Sequence, residues 1–159
     1  THPRKLNLVA RALEDTVLRA EQSVAGVLEE RGVRVVRAAA SALPPVFHDP
    51  DQMQQVFINL LKNAAEASPE GGAITVRLAH SGDGVAAAVR DEGCGIDAET
   101  MKTVFEPFFT TKPKGTGLGL YITHEIIKRH GGSLSVSSDP GRGATFTVEL
   151  PLDPQGGTR

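Results

Sequence analysis

A single α+β domain is the fold class the sequence predicts, and three observations carry that prediction. Apolar residues recur at helical spacing over long segments near the start, the middle and the end of the chain. Shorter segments alternate apolar and polar residues in the manner of half-buried strands, with glycine-rich turns between them. A length of 159 residues suits one hydrophobic core.

Composition narrows the function. With 17 Lys and Arg against 19 Asp and Glu, the formal net charge is −2 and no basic stripe points to nucleic acid. No apolar run reaches the length of a membrane span. The single cysteine, Cys94, excludes a disulfide framework and fits a reducing, cytoplasmic compartment. The first residue is Thr1, and no signal-like segment follows it, so a piece of a longer protein is expected.

In order, residues 1–7 read as an extended lead-in. From Leu8 to Glu30, Val9, Leu13, Val17, Val24 and Leu28 mark one helical face, and Arg11, Asp15, Arg19 and Glu29 the other. Gly32 stops that helix, and Val33–Val36 reads as a short strand. Pro44 and Pro45 keep the next connection irregular. Asp49-Pro50-Asp51 is a helix start, with an acidic cap and proline in the first turn. That helix carries Met53, Val56, Phe57, Leu60, Leu61 and Ala64 on its apolar side and closes at Ser68-Pro69. Residues 73–79 and 85–90 alternate as antiparallel partners around a turn at 81–84. A short helix is expected over 97–105. A longer one runs up to His130, with Leu118, Ile122 and Ile126 as its stripe and Gly131-Gly132 as its stop. Residues 133–138 and 144–150 are strands, Pro151 ends the last one, and 153–159 is a frayed tail.

Three patterns carry chemistry. Gly115, Gly117 and Gly119 lead into the last helix, so unpaired N–H groups and the helix dipole can face an anion, with Lys112 and Lys114 just upstream. A dinucleotide-binding turn would need an apolar strand before the glycines, and F-F-T-T-K-P-K-G is not one; a loop with glycines for turns alone is the plainer alternative. Asn59 and Asn63 lie four apart on one helical face, although asparagine suits helix interiors poorly. They can cap a neighbouring loop, or Asn63 can offer a neutral oxygen to Mg²⁺. Asp91 stands at a strand end before Gly93 and Gly95. There it is either an acidic turn or an acceptor for an exocyclic amine such as that of adenine, with the glycines admitting a flat ligand. Cys94 reads as a small filler residue.

Taken together, these segments resemble the ATP-binding catalytic domain of sensor histidine kinases, in the GHKL superfamily. N-L-L-K-N-A is similar to the N box, D-E-G-C-G-I to the first glycine box, F-E-P-F-F-T-T-K to the F box and ATP lid, and G-T-G-L-G-L to the second glycine box. G-R-G-A-T-F-T-V-E-L-P resembles the closing hairpin, and F-F-T-T-K is most like the nitrogen-regulator branch. The likeness runs from Asn7 to Leu152. It implies a two-layer α/β sandwich with a mixed, mostly antiparallel sheet and helices on one face. It also implies a catalytic domain over 8–152 with a lid over about 97–115, poorly ordered without nucleotide.

By position, the resemblance places Mg²⁺ on Asn63, with Asn59 beside it and the phosphates. It places the adenine amine on Asp91, with Thr145 nearby and Gly93, Gly95 and Ile96 around the base. Phe109, Thr110, Thr111, Lys112, Lys114, Gly115, Thr116, Gly117, Leu118, Gly119 and Leu120 would enclose the nucleotide. Asn59 and Lys112 would join Asn63 in transfer. Glu66 departs from the basic phosphate contact of several members, which leaves phosphate neutralisation to the lid lysines and the metal. Members that hydrolyse ATP carry glutamate at the Asn59 position as general base, and an amide cannot take that proton.

A phosphoacceptor histidine is not evident. His2, His80 and His130 have no acid beside them, and His48 and His124 lie outside any dimerising hairpin. His124 and His130 are expected at the surface. The resemblance therefore implies a monomeric fragment that binds ATP without phosphorylating itself. Its acceptor hairpin belongs elsewhere in a homodimeric parent protein, membrane-anchored or not, which serves a response regulator indirectly. A nucleotide-sensing module without transfer, and a serine kinase or ATPase of the same superfamily, are the alternatives.

Overall fold

The computed structural model describes residues 5–107 and 119–156. The elements are β1 (Val9–Arg11), α1 (Leu13–Ser23), α2 (Ala25–Arg31), β2 (Arg34–Ala39), β3 (Val46–His48) and α3 (Pro50–Ala67). They continue with β4 (Ala73–Ser81), β5 (Gly84–Arg90), α4 (Ala98–Met101), α5 (Gly119–Arg129), β6 (Ser133–Ser138) and β7 (Ala144–Leu150). Five strands form one sheet in the order β2-β4-β5-β7-β6, in which only β2 and β4 run parallel. The expected mixed, mostly antiparallel sheet is present.

Alternation decides which face carries the helices. Ile74, Val76 and Leu78 of β4, Val85, Ala87 and Val89 of β5, and Phe146 and Val148 of β7 are buried in one core. Their neighbours Arg77, Arg90 and Glu149 are exposed on the opposite face. Helix α3 lies across the core side, flanked by α1 and α5. It buries Met53, Val56, Phe57, Leu60, Leu61, Ala64 and Ala65, and each large apolar side chain so removed from water contributes roughly 1.5–3 kcal/mol.

The first helix predicted from the sequence is two helices preceded by a strand. Val9–Arg11 pairs antiparallel with Val46–His48 in a separate two-stranded sheet, and α1 and α2 part at Val24. Both strands have three residues, too few for alternation to register, and their pairing is non-local. Val24, Ala25 and Gly26 include two weak helix formers, which is where the helix gives way. Gly32 stops α2 as expected, in the left-handed conformation at φ 66°. The expected helix over 97–105 shrinks to Ala98–Met101, and turns follow it.

A buried polar junction ties the helical layer together. Asp49 caps α3, its Oδ1 accepting from Gln52 N at 3.1 Å and its Oδ2 from Asn7 N at 2.9 Å. Its own N–H donates to His130 Nε2 at 3.1 Å, while His130 Nδ1 lies 2.8 Å from the Ile126 carbonyl. A carbonyl only accepts, so His130 Nδ1 carries the proton and Nε2 is the acceptor. His48 follows the same logic, with Nδ1 donating to the Val46 carbonyl and Nε2 facing the Thr16 hydroxyl, both at 2.8 Å. Both rings are fully buried. The surface position expected for His130 is thus overturned: it continues the apolar stripe of α5 and finds its partner on α3.

Burial is the main force lowering the pKa of both histidines below the ordinary 6.5, against the pull of their backbone carbonyls. Each ring binds its proton more weakly folded than unfolded, so the unfolded chain gains protons first as pH falls. Stability is full above 6.5 and is lost as pH falls from there through the depressed folded values. The urea midpoint is therefore expected to be lower at about pH 5.5 than at about pH 7.5. His130→Gln, which keeps a donor and an acceptor but cannot titrate, should flatten part of that slope. An identical slope in the variant would contradict the neutral, buried state.

Candidate functional site

Helix α3 presents Asn59 and Asn63 on one face, both half-buried. Asn59 leans on the start of α5. Its Nδ2 donates to the Thr123 hydroxyl at 3.2 Å and lies 3.5 Å from the Gly119 carbonyl, and its Oδ1 accepts from Gln55 Nε2 at 3.0 Å. The C-terminal end of α3 reaches the first glycine loop. A Cβ on Gly93 would overlap the carbonyl oxygen of Ala67, and Glu92 N lies 3.5 Å from Ser68 Oγ. From residue 59 to residue 67 the helix rises roughly 12 Å at 1.5 Å per residue. One end of that span meets α5, and the other meets the Asp91 loop.

Asp91 leaves the tip of β5 on the core side and is 4% exposed. Its Oδ1 accepts from Gly93 N at 2.9 Å and from Ala144 N at 3.2 Å, while its backbone N–H donates to the Ala144 carbonyl at 2.9 Å. Oδ2 has no hydrogen bond to any of the described residues. Burial raises the carboxyl pKa, opposed by the two backbone donors. A further donor at Oδ2 would favour the charged form that burial opposes.

The glycines have a structural reason of their own beside the one expected. Added Cβ atoms on Gly93 and Gly95 would collide with the carbonyls of Ala67 and Asp139, and Gly95 sits at φ 81°. What demands glycine is close packing of chain on chain, and it seats the loop between α3 and the β6–β7 turn. Ser138 fastens the second contact, its hydroxyl accepting from Ile96 N at 2.7 Å and donating to the Gly143 carbonyl at 2.8 Å. Glu92 is absorbed structurally, with Oε1 accepting from Ala73 N at 2.7 Å. Cys94 is exposed.

Thr145 is not beside Asp91. It pairs between Arg90 and Ser137, and period-two alternation turns it to the sheet face away from the helices. Its neighbour Ala144 meets Asp91 instead. Gly119 and Leu120 open α5, and Ile96 is half-buried on the glycine loop. Phe109, Thr110, Thr111, Lys112, Lys114, Gly115, Thr116, Gly117 and Leu118 lie outside the described residues. Of the segment expected to be a lid, residues 97–107 are described. Asp97 caps α4 by accepting from Thr100 N at 2.7 Å, which holds its pKa down, and Val104 is buried. Phe105 stacks on His124, with ring centroids 5.3 Å apart, and meets Phe146 edge-on. His124 is therefore half-buried under the F-E-P segment and not freely at the surface.

Sequence reasoning missed Thr123, Ser138, Gly143 and Ala144. Thr123 had a signal: Leu120, Thr123, Ile127 and His130 fall at i, i+3, i+7 and i+10, one helical stripe. The stripe drawn through Ile122 is wrong, since Ile122 is 42% exposed while Thr123 and Ile127 are sealed. A threonine and a histidine on that face hid it.

Residues 48–154 match the family model described as histidine kinase-, DNA gyrase B-, and HSP90-like ATPase. The chain is 40% identical over 159 residues to the sensor histidine kinase ZraS of Escherichia coli (strain K12), which covers 97% of this chain and 34% of ZraS. It thus spans about a third of the length of the curated relatives it matches first. Among solved structures, full-length ShkA in complex with AMPPNP superposes with a TM-score of 0.86 at 26% identity, covering 96% of this chain and 33% of that one. The catalytic domain of the histidine kinase ThkA gives 0.83 at 29% identity over 96% of this chain and 99% of that one. ThkA in complex with the response regulator protein TrrA gives 0.82 at 26% identity, over 96% and 44%.

Gly143 offers a test of the loop packing. It stands at φ 78°, and a Cβ there would overlap the carbonyl oxygen of Asp91. Gly143→Ala is expected to destabilise the fold by about 1–3 kcal/mol, read as a melting temperature several degrees lower. Gly141→Ala, at φ 81° with open space around it, should cost less. Equal losses would mean that the contact with Asp91 contributes nothing beyond the backbone conformation.

Proposed function

The chain belongs to the histidine kinase-, DNA gyrase B- and HSP90-like ATPase family, as an ATP-binding catalytic domain of the sensor histidine kinase kind, and from that premise we propose that it binds Mg-ATP and presents the γ-phosphate to a histidine on a dimerisation hairpin outside this chain. The observation that carries the reading is the layout along α3. A carboxylate with one oxygen committed to the backbone and one unused lies at one end, Asn59 beside the start of α5 lies at the other, and Asn63 stands on the same face one turn along. That separation suits a purine amine at Asp91 and its phosphates at α5.

In this reading Asp91 Oδ2 accepts from the exocyclic amine, which also restores a partner to a carboxylate that burial disfavours. Asn63 supplies a neutral oxygen to Mg²⁺, with Asn59 beside it. Among the described residues no three His, Cys, Asp or Glu side chains gather as a metal site, which fits a cation held largely by phosphate oxygens and water. When bound, Mg²⁺ neutralises charge on the transferring phosphoryl group. Lys112 or Lys114, the N–H groups from Gly117 to Gly119 and the dipole of α5 hold the phosphate tail.

Asn59 directs the outcome. Its amide cannot accept a proton from water, so placement of ATP for transfer is favoured over hydrolysis. His48 and His130 are sealed in the core, where no phosphate could reach them, which supports an acceptor elsewhere. The ThkA complex with a response regulator supports a regulator as the eventual recipient, reached indirectly. The parent is a homodimer in this reading, and the domain acts in the cytoplasm.

Titration with Mg-ATP and Mg-ADP, followed by transfer to the parent's hairpin, tests the assignment. Asp91→Asn puts a donor where an acceptor is needed, and should weaken ATP and ADP alike by about 10- to 100-fold. Asn63→Ala should keep the melting temperature and lose Mg-dependent transfer, whereas Lys112→Ala should hurt ATP more than ADP. Saturable ATP binding with no transfer under any condition would mark a nucleotide sensor instead of a kinase, and no binding to the folded chain would sink both readings.

A further inference from the structure

The geometry points to Thr123 as a positioning residue for phosphoryl transfer, acting through the carboxamide of Asn59; this rests on the ATP-site reading above. Thr123 is 0% exposed on the core stripe of α5, where valine would fill the same space. A buried hydroxyl costs free energy unless it is hydrogen-bonded, so its placement asks for a partner. That partner is the first asparagine of N-L-L-K-N-A, whose Nδ2 donates to it at 3.2 Å.

The orientation of the amide follows from the same contacts. The Gly119 carbonyl, 3.5 Å from the same nitrogen, can only accept, so the amino end of Asn59 faces α5 and Thr123 receives the hydrogen bond. The oxygen end is thereby turned away from α5, toward Gln55 on the exposed side of α3. Thr123 supplies the shorter of the two acceptors that hold the amino end. With it gone, the carboxamide keeps only the long Gly119 contact on that side and turns more freely about its last bond. A side chain that aligns a phosphate tail needs one fixed orientation, because misplacement costs rate more than affinity.

Thr123→Val removes the acceptor at nearly constant volume, and Thr123→Ser restores it. In the ¹⁵N-labelled chain without nucleotide, the Asn59 side-chain amide signal should shift and lose protection in Thr123→Val and recover in Thr123→Ser. With the parent's hairpin as acceptor, single-turnover transfer should fall by roughly tenfold in Thr123→Val while the dissociation constant for Mg-ATP changes by less than about threefold. Thr123→Ser should transfer within about twofold of the wild type. An unmoved Asn59 amide in Thr123→Val overturns the inference, as does wild-type transfer by that variant or equal impairment of the serine variant. Failure of the wild-type chain to bind Mg-ATP would sink the ATP-site reading and the role in transfer with it. The amide signal would still report whether Thr123 orients Asn59.

Discussion

The site depends on one oxygen atom. Asp91 Oδ1 receives the N–H groups of Gly93 and Ala144 and so knots the first glycine loop to the start of the last strand. Around that knot the loop can lie against α3 only because Gly93 has no side chain, and against the β6–β7 turn only because Gly95 and Gly143 have none. With Oδ1 spent on architecture, Oδ2 has no hydrogen bond to any of the described residues. In the function proposed above, the same carboxylate would serve as scaffold and receptor.

Asp49 performs the corresponding task for the helical layer. It uses both carboxylate oxygens and its own N–H to join the lead-in, α3 and the end of α5, with Asp49 and His130 themselves buried. Burial favours the neutral form of the two histidines around it, and each ring has one nitrogen donating to a carbonyl and the other accepting. The relative position of α3 and α5 is set by this junction as well as by apolar packing. Asn59 with Thr123, and Arg129 with Gln52, make further polar ties between the same two helices.

Much of this was legible in the sequence, for local reasons. Long apolar stripes gave α3, two-residue turn chemistry gave the β4–β5 hairpin, and the acidic cap with proline placed the start of α3 to the residue. The motifs singled out Asp91, Asn59 and Asn63 because asparagine is a poor choice for a helix interior and a carboxylate at a strand end before two glycines asks for a partner. What failed was non-local. The β1–β3 pair joins residues far apart in sequence through three positions each. The exchange of Thr145 for Ala144 turns on which face of β7 is inward, and that is settled by neighbouring strands. His130 looked like a surface residue because its partner, the N–H of Asp49, belongs to another helix.

The short strand β3 has one more consequence. Phe47 N donates to the Leu152 carbonyl at 2.7 Å, and two residues on Asp49 accepts from Asn7 N. The place where the chain enters the domain and the place where it leaves are therefore fastened to the same few residues. A pull applied across those two points is met first by these two hydrogen bonds, before it reaches β7 through Pro151 and Leu150.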